Sequence, residues 1–130
     1  MTREELKAVA VAMLDRAYVP YSHFPVGAAL ECSDGTVFTG CNIENASYTP
    51  TICAERTAVS KAVSEGHRDF VRIVIAGRSK DFCVPCGVCR QVLREFAPEL
   101  EIICLNGAGE ERVFTLPELL PHSFGPEYLL

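Results

Sequence analysis

Three cysteines in two short segments constrain the fold of this chain more than any other feature, because a shared ligand would force those segments together. The segments are Cys53–Glu55 and Pro85–Cys89. Cys86 and Cys89 are three residues apart and so share one face of a helix. Thiols at a helix N-terminus ionise readily, which makes them good metal ligands. The spacing therefore predicts a zinc site held by Cys53, Cys86 and Cys89, where two helix N-termini meet.

The number of protein ligands distinguishes a catalytic zinc site from a structural one. Structural sites are usually closed by four ligands, whereas catalytic sites keep a position for water. The histidines, at positions 23, 67 and 122, are scattered and supply no fourth ligand at a matching spacing. Glu55 is the predicted catalytic residue, able to accept a proton from water beside the metal. Residues two apart point to nearly opposite sides of a helix, so this role requires Cys53 to lie at the helix start.

Three thiolates would give the metal site a negative charge that a neighbouring cation must offset. Arg56 follows the predicted catalytic residue and Arg90 follows the last ligand, so either guanidinium could donate hydrogen bonds to the sulfurs. Arg56 is the stronger candidate for this supporting role. The alternative for each arginine is an ion pair on the surface.

The remaining cysteines leave two other interpretations of the motif open. Cys83, Cys86 and Cys89 are evenly spaced, so a structural site closed by Cys83 is one alternative. A thioredoxin-like redox pair is the other, although it would explain neither Cys53 nor Glu55. The other three cysteines lie in apolar, strand-like stretches, where a cysteine is usually a small buried hydrophobe: Cys32, Cys41 and Cys104.

Composition and charge limit the class of protein. The chain has 130 residues, of which 48% are hydrophobic and 22% charged, and this predicts one globular domain over residues 1–130. Its net charge is −5 and its basic residues form no run. We therefore expect no nucleic-acid strand as a partner, although a neutral nucleoside is permitted. No apolar run reaches the length of a membrane span, so no membrane partner is expected.

The N-terminus and the cysteine count indicate a compartment. Residues 1–5 are typical of a helix start rather than of a signal peptide. Seven cysteines is an odd number, which favours metal binding over a disulfide framework. We expect a cytoplasmic location.

Periodicity predicts alternating helices and strands. The predicted helices cover residues 3–17, 52–65, a stretch from the second cysteine motif to residue 96, and 117–120. The predicted strands cover residues 26–32, 36–43, 71–76, 101–105 and 112–115, and the first two form a hairpin. Strand–helix–strand connections favour parallel pairing. The predicted fold is therefore a three-layer α/β/α arrangement with a mixed sheet and a ligand site at strand C-terminal ends.

The second predicted helix carries a stripe of small side chains. Ala54, Ala58 and Ala62 recur at helical spacing. Small residues let a second helix or a sheet approach closely, so we expect this helix to be central and buried. The alternative is that alanine serves only as a good helix former.

The cysteine motifs also match those of a known family. They stand as Cys53-Ala54-Glu55 and Pro85-Cys86-Gly87-Val88-Cys89, continuing Arg90-Gln91, and residues 21–28 (YSHFPVGA) and 40–48 (GCNIENASY) match as well. The chain resembles the cytidine deaminases, in particular the short, homotetrameric class whose first zinc ligand is cysteine where a larger class has histidine. The resemblance implies a five-stranded mixed sheet with helices on both faces and one zinc ion per subunit.

The resemblance also implies roles for individual residues. Asn42 and Glu44 would hold the ribose 3′-hydroxyl, while Phe24 and Ala54 would line the pocket around the nucleoside. Glu55 would protonate N3 of the base and carry protons during hydrolytic attack on C4. A neighbouring subunit would contribute three further contacts, with the aromatic ring of the tail stacking on the pyrimidine: Ala46, Tyr48 and Phe124.

The expected function is zinc-dependent hydrolysis of cytidine and deoxycytidine to uridine and deoxyuridine with release of ammonia, as part of pyrimidine salvage. The expected assembly is a homotetramer with sites shared between subunits, based on the resemblance and on the alanine stripe. One alternative is a deaminase of a cytosine-nucleoside antibiotic on the same scaffold. Another, of a different class, is a non-enzymatic interaction module that zinc stabilises.

Overall fold

A five-stranded mixed sheet organises the protein, and helices cover both of its faces. The structure is a computed structural model that describes residues 1–130. The strands are β1 (Val26–Cys32), β2 (Val37–Cys41), β3 (Phe70–Gly77), β4 (Glu101–Leu105) and β5 (Glu111–Thr115). The helices are α1 (Arg3–Ala12), α2 (Ala54–Ser64), α3 (Gly87–Phe96) and α4 (Leu116–Leu119), with 3₁₀ turns over Met13–Arg16 and Pro126–Tyr128.

The strand order is β2-β1-β3-β4-β5, and the pairing explains where the loops meet. β1 runs antiparallel to both β2 and β3, β3 runs parallel to β4, and β4 runs antiparallel to β5. The carboxyl ends of β2, β3 and β4 therefore lie at one edge of the sheet. The connections from β2 to α2 and from β3 to α3 both leave from that edge, which is where a ligand site is expected in such a sheet.

Alternating side chains divide the core into two layers. On one face, α2, α3 and α4 pack on a cluster of 16 buried residues that includes Leu30, Ile73 and Ile102. On the other face, α1 packs on a cluster of 8 that includes Val74 and Ile103. Neighbouring residues of one strand fall in opposite clusters, as the two-residue period of a strand requires. The three-layer prediction is confirmed.

The alanine stripe of α2 faces the sheet of its own chain. Ala54, Ala58 and Ala62 are fully buried in the larger core cluster. The backbone of α2 lies so close to β2 that a Cβ atom added at Gly40 would lie 2.8 Å from the amide nitrogen of Ala58. The predicted close approach is confirmed, but the three alanines pack against the sheet of their own chain and are not available to a second subunit. It therefore gives no support to the expected tetramer.

Helix boundaries differ from the predicted ones by a few residues. The first helix was predicted to reach Ala17, but its α-helical part ends at Ala12 and continues as a 3₁₀ turn. The second helix begins at Ala54 rather than Ile52, because Ile52 exchanges two backbone hydrogen bonds with Ile43, each of 3.0 Å. None of the helices has the length and apolar character needed to cross a membrane.

Candidate metal centre and active site

Three sulfur atoms from the two cysteine motifs converge at the carboxyl edge of the sheet. The Sγ atoms of Cys53, Cys86 and Cys89 all lie within 4.8 Å of one another. Cys53 is the N-cap of α2, Cys86 is the N-cap of α3, and Cys89 lies in the first turn of α3. Two helix N-termini therefore meet at the sulfur group, and their dipoles favour negative charge there.

The sulfur spacing fits zinc. Two sulfurs bound tetrahedrally to zinc, each at about 2.3 Å, lie about 3.8 Å apart. The Sγ atoms of Cys53 and Cys86 are 3.9 Å apart. The backbone N–H of Cys89 donates to the Sγ of Cys86 at 3.5 Å, which is the side-chain contact of a helix N-cap. Three thiols held this way are the donor set of a zinc site with one position left for water.

Arg56 donates a hydrogen bond to the first of these sulfurs. Its Nη2 lies 3.2 Å from the Sγ of Cys53, and no carboxylate forms an ion pair with its guanidinium. Hydrogen bonding by Cys89 and by Arg56 lowers the pKa of Cys53 to about 5. The same interaction raises the pKa of Cys89, which keeps its proton next to the Cys53 thiolate. A divalent cation would replace that proton with its own charge.

Arg90 takes a different position from the one considered in the sequence analysis. Its Nε donates to the carbonyl of Pro85 at 2.7 Å, and its Nη1 donates to the carbonyl of Leu119 at 2.8 Å. Neither a sulfur atom nor a carboxylate binds this guanidinium, so both predicted roles for Arg90 are wrong. Instead the side chain ties the second cysteine motif to α4.

The other four cysteines lie outside the sulfur group. Burial raises the pKa of Cys83 to about 12, and its thiol is not one of the three that converge. A structural site closed by Cys83 is therefore not formed. Cys32, Cys41 and Cys104 are buried, as predicted. All seven cysteines of the chain are free thiols.

Glu55 satisfies the geometric condition set by its spacing from Cys53. Because Cys53 is the N-cap, Glu55 is the second residue of α2 and lies in its first turn. The side chain is only 4% exposed. Burial raises the pKa of Glu55 to about 7, so this carboxyl can both take up and release a proton near neutral pH.

A cavity of about 330 Å³ opens beside the sulfur group and Glu55. This volume is at the lower end of the range for small-molecule sites. Eleven residues line it, and those predicted from the sequence to bind metal or substrate are Phe24, Asn42, Glu44, Cys53, Ala54, Glu55 and Cys86. The four that the sequence analysis did not assign to it are Ser22, Val26, Cys83 and Val84. Ser22 and Val26 lie in the matching segment 21–28, and Cys83 and Val84 directly precede the second motif, so position in the chain was the available signal.

Hydrogen bonds from the neighbouring loop fix Asn42 and Glu44 at the cavity rim. Asn42 accepts from the N–H of Val26 at 2.9 Å and donates to the carbonyl of Phe24 at 2.8 Å, which leaves one amide N–H for a ligand. The carboxylate of Glu44 accepts from the backbone N–H groups of Tyr21 and Ser22 at 3.0 and 3.1 Å. Hydrogen bonding from the Ser22 hydroxyl lowers the pKa of Glu44. Glu44 is therefore an ordered carboxylate rather than a freely solvated loop acid.

Comparison with known proteins decides the family. A family model described as the cytidine and deoxycytidylate deaminase zinc-binding region matches residues 1–105. The chain belongs to this deaminase family. The family binds zinc, and the three-cysteine group of this chain fits one zinc ion.

Relatives of this deaminase match it over nearly the whole chain. A cytidine deaminase of Halalkalibacterium halodurans is 48% identical over 98% of this chain and 97% of its own length. One of Sporosarcina psychrophila is 45% identical over 99% of this chain and 96% of its own length. The crystal structure of cytidine deaminase from Burkholderia pseudomallei superposes with a TM-score of 0.92 at 46% identity, covering 95% of this chain and all of that one. The five-stranded α/β fold of the deaminase is thus confirmed.

Three predicted substrate contacts lie outside the cavity of their own chain. Ala46, Tyr48 and Phe124 are absent from the lining residues of the deaminase pocket. The side chain of Tyr48 is 72% exposed and that of Phe124 is 55% exposed. Phe124 stacks on Tyr128 with ring centroids 5.2 Å apart. These residues were predicted to contact the nucleoside bound to a neighbouring subunit, and they do not line the cavity of their own chain.

Proposed function

We propose that this deaminase removes the amino group of cytidine and deoxycytidine by hydrolysis, giving uridine or deoxyuridine and ammonia. The observation that carries the proposal is a buried Glu55 beside three convergent sulfurs at the base of a cavity of about 330 Å³. That cavity suits a single nucleoside. The relatives described above are cytidine deaminases over nearly the full length of the chain, which supports the same substrate.

Different residues of this chain would carry out different steps of the reaction. Zinc held by Cys53, Cys86 and Cys89, when bound, supplies Lewis-acid activation of water. Glu55 would take one proton from the attacking water and deliver it to N3 of the base. It would then take the second proton from the new C4 hydroxyl and give it to the leaving amino group, so that water and cytidine become uridine and ammonia. The low exposure of Glu55 excludes bulk water from these transfers.

The charge of the cavity supports a nucleoside rather than a nucleotide as substrate. The lining includes Glu44 and Glu55 but no lysine or arginine. Backbone groups hold the side chains of Asn42 and Glu44 at the rim. The free amide N–H of Asn42 would donate to the ribose 3′-hydroxyl, and the carboxylate of Glu44 would accept from it. A 5′-phosphate would enter next to a carboxylate with no cation to pair it, which costs binding energy. We expect deoxycytidine to be turned over far better than its 5′-monophosphate.

We further propose that the enzyme is a homotetramer in which neighbouring subunits complete each site. Exposed aromatic side chains that their own pocket does not use support this assembly: Tyr48 and Phe124. In the assembly Ala46, Tyr48 and Phe124 of one chain would contact the nucleoside bound to another, with the ring of Phe124 stacking on the base. Sedimentation equilibrium tests the assembly, and a fully active monomer at assay dilution would contradict it.

A cytoplasmic enzyme of pyrimidine salvage is the cellular role we propose. The seven free thiols suit a reducing compartment, where metal binding rather than disulfide formation is the usual use of cysteine. Complementation of a cell that cannot use cytidine as its source of uracil tests the pathway, and cell fractionation tests the location.

An absorbance assay on the zinc-loaded protein tests the reaction itself. We expect turnover of cytidine and deoxycytidine, loss of turnover after a chelator removes the metal, and recovery when zinc is returned. Metal analysis should find one zinc ion per chain. A cytosine-nucleoside antibiotic supplied as a competing substrate separates the proposed activity from the alternative on the same scaffold. Failure of the zinc-loaded protein to release ammonia from cytidine would overturn the proposal.

A further inference from the structure

The C-terminal segment is fastened to α3, the helix that also carries two zinc ligands. Nε2 of Gln91 donates a hydrogen bond to the backbone carbonyl of Phe124 at 2.9 Å. Nε of Arg94 donates to the hydroxyl of Ser123 at 2.7 Å, and its Nη2 forms an ion pair with Glu127. These contacts hold the residue before Phe124, the backbone of Phe124 itself, and a residue three positions after it.

The helical spacing explains why one face of α3 can hold the segment. Gln91 and Arg94 are three residues apart and so lie next to each other on the helix surface. Cys89 and Leu93 are fully buried and face the interior. The same helix therefore presents the metal ligand on one side and the two tail-binding residues on another, which couples the position of the tail to the position of the zinc site.

Gly125 lies against the guanidinium of Arg94. A Cβ atom added at Gly125 would lie 2.5 Å from Nη1 and 2.6 Å from Cζ of Arg94. The guanidinium thus packs against the main chain immediately after Phe124. On the far side, the ring of Phe124 stacks on Tyr128, while the N–H of Tyr128 donates to the carbonyl of Gly125 at 3.1 Å. The tail therefore forms a turn that Arg94 contacts at Ser123 and at Glu127.

We propose that Gln91, Arg94 and Glu127 form a clamp that positions the ring of Phe124 for the pocket of a neighbouring subunit. The inference rests on the proposed function for the destination of that ring, while the clamp itself rests on contacts within one chain. Gln91 and Arg94 are positioning residues that act through Phe124. Because the clamp orders an exposed aromatic side chain before the nucleoside binds, it lowers the entropy lost when the ring stacks on the base.

Kinetic analysis of Arg94→Met tests the clamp. We expect KM for cytidine to rise roughly threefold to tenfold, the effect of losing an aromatic stacking contact, while kcat changes little. Arg94→Lys keeps a charge opposite Glu127 and should recover part of the loss. Arg78→Met is the matched control, because Arg78 pairs with Asp15 away from the tail, and its KM should equal that of the wild type.

A double-mutant cycle separates positioning from a general structural role. Arg94→Met combined with Phe124→Ala should be no worse than Phe124→Ala alone, because Arg94 then has no ring to position. Additive effects on KM, or an unchanged KM in Arg94→Met, would overturn the clamp. Gly125→Ala, which displaces the guanidinium from the other side, provides a second variant should Arg94→Met fold poorly.

Hydrogen exchange gives a result that does not depend on activity. In zinc-loaded protein, the backbone amides of residues 124, 125 and 127–130 should exchange faster in Arg94→Met than in wild type, and at the wild-type rate in Arg78→Met. Unchanged exchange in Arg94→Met would overturn the clamp. If the wild type were inactive on cytidine but the exchange result were as expected, the clamp would stand and the proposed function would fail.

Discussion

The first turn of α2 places a carboxyl group and a guanidinium on two sides of the three-sulfur group. Glu55 faces the cavity, while Arg56, one residue later, donates a hydrogen bond to the Sγ of Cys53. Consecutive residues of a helix are rotated by about 100° about its axis, so their side chains point in different directions. The carboxyl of Glu55 can therefore gain and lose a proton, while the guanidinium of Arg56 stays charged and offsets the charge of the Cys53 thiolate.

Glu55→Gln removes the proton carrier but keeps the size and shape of the side chain. We expect kcat on cytidine to fall roughly a hundredfold to ten-thousandfold, because an amide cannot take up and return a proton. The zinc content should stay at one ion per chain, since the three sulfurs are untouched. The absorbance assay and metal analysis check both. A Gln variant with near wild-type turnover would refute the catalytic role of Glu55.

Arg56→Met removes the hydrogen bond to the Cys53 thiolate. We expect zinc affinity to fall roughly tenfold to a hundredfold, the usual effect of losing a group that supports a metal ligand. Competition with a chromophoric chelator measures the affinity. Arg68→Met is the control, since Arg68 is an exposed arginine near the far end of α2. Equal affinities in the two variants would show that Arg56 contributes nothing beyond surface charge.

The contact between β2 and α2 fixes the distance between α2 and the sheet. Gly40 has no side chain at the point where the α2 backbone passes, and the N-cap of α2 is Cys53, one of the three proposed zinc ligands. A rigid contact at this position therefore sets both the packing of the core and the location of Cys53.

Gly40→Ala would push α2 away from the sheet. The added Cβ would lie 2.8 Å from the amide nitrogen of Ala58, and backbone cannot move aside cheaply. We expect the free energy of unfolding to fall by about 1–3 kcal/mol, as for other overpacked cores. Urea unfolding of the zinc-loaded protein measures it. Gly87→Ala is the control because a Cβ there meets no atom within 4 Å, so a similar loss in that variant would argue against steric overpacking.

The elements and the convergence of the three cysteines were predictable because both depend on local spacing. The strand β4 was predicted with its observed limits, and the convergence of three cysteines followed from two motifs. Details that depend on distant partners were not predictable. The start of α2 is set by the pairing of Ile52 with Ile43, and the direction of Arg90 is set by a carbonyl of Leu119. Neither partner is marked by local sequence.

Across the whole molecule, the metal site joins two parts of the chain that are distant in sequence. Cys53 and Cys86 are 33 residues apart, and α2 and β3 lie between them. A ligand that binds only the folded chain stabilises it by mass action. Stability of the molecule as a whole should therefore depend on the metal.

Removal of zinc should lower the melting temperature. We expect a decrease of at least about 4 °C after chelation, corresponding to about 1 kcal/mol or more for a domain of this size. Differential scanning fluorimetry with and without chelator measures the shift. Cys86→Ala, which removes one ligand, should melt at a temperature that the chelator barely changes. A wild-type protein whose melting temperature ignores chelation would contradict a metal link between the two segments.

The outward position of Phe124 has a genetic consequence under the shared-site proposal. A chain with a damaged tail would keep its own zinc and its own Glu55, yet the defect would appear in the pocket of another copy. In a cell that expresses intact and tail-damaged alleles together, mixed assemblies would contain impaired sites on intact chains. Each damaged tail would still impair one site, so the share of working sites would equal that left by a Glu55 allele. The two alleles would complement each other when they are expressed together, because the intact tail of a Glu55-damaged chain can complete the site of a tail-damaged chain and restore part of the activity.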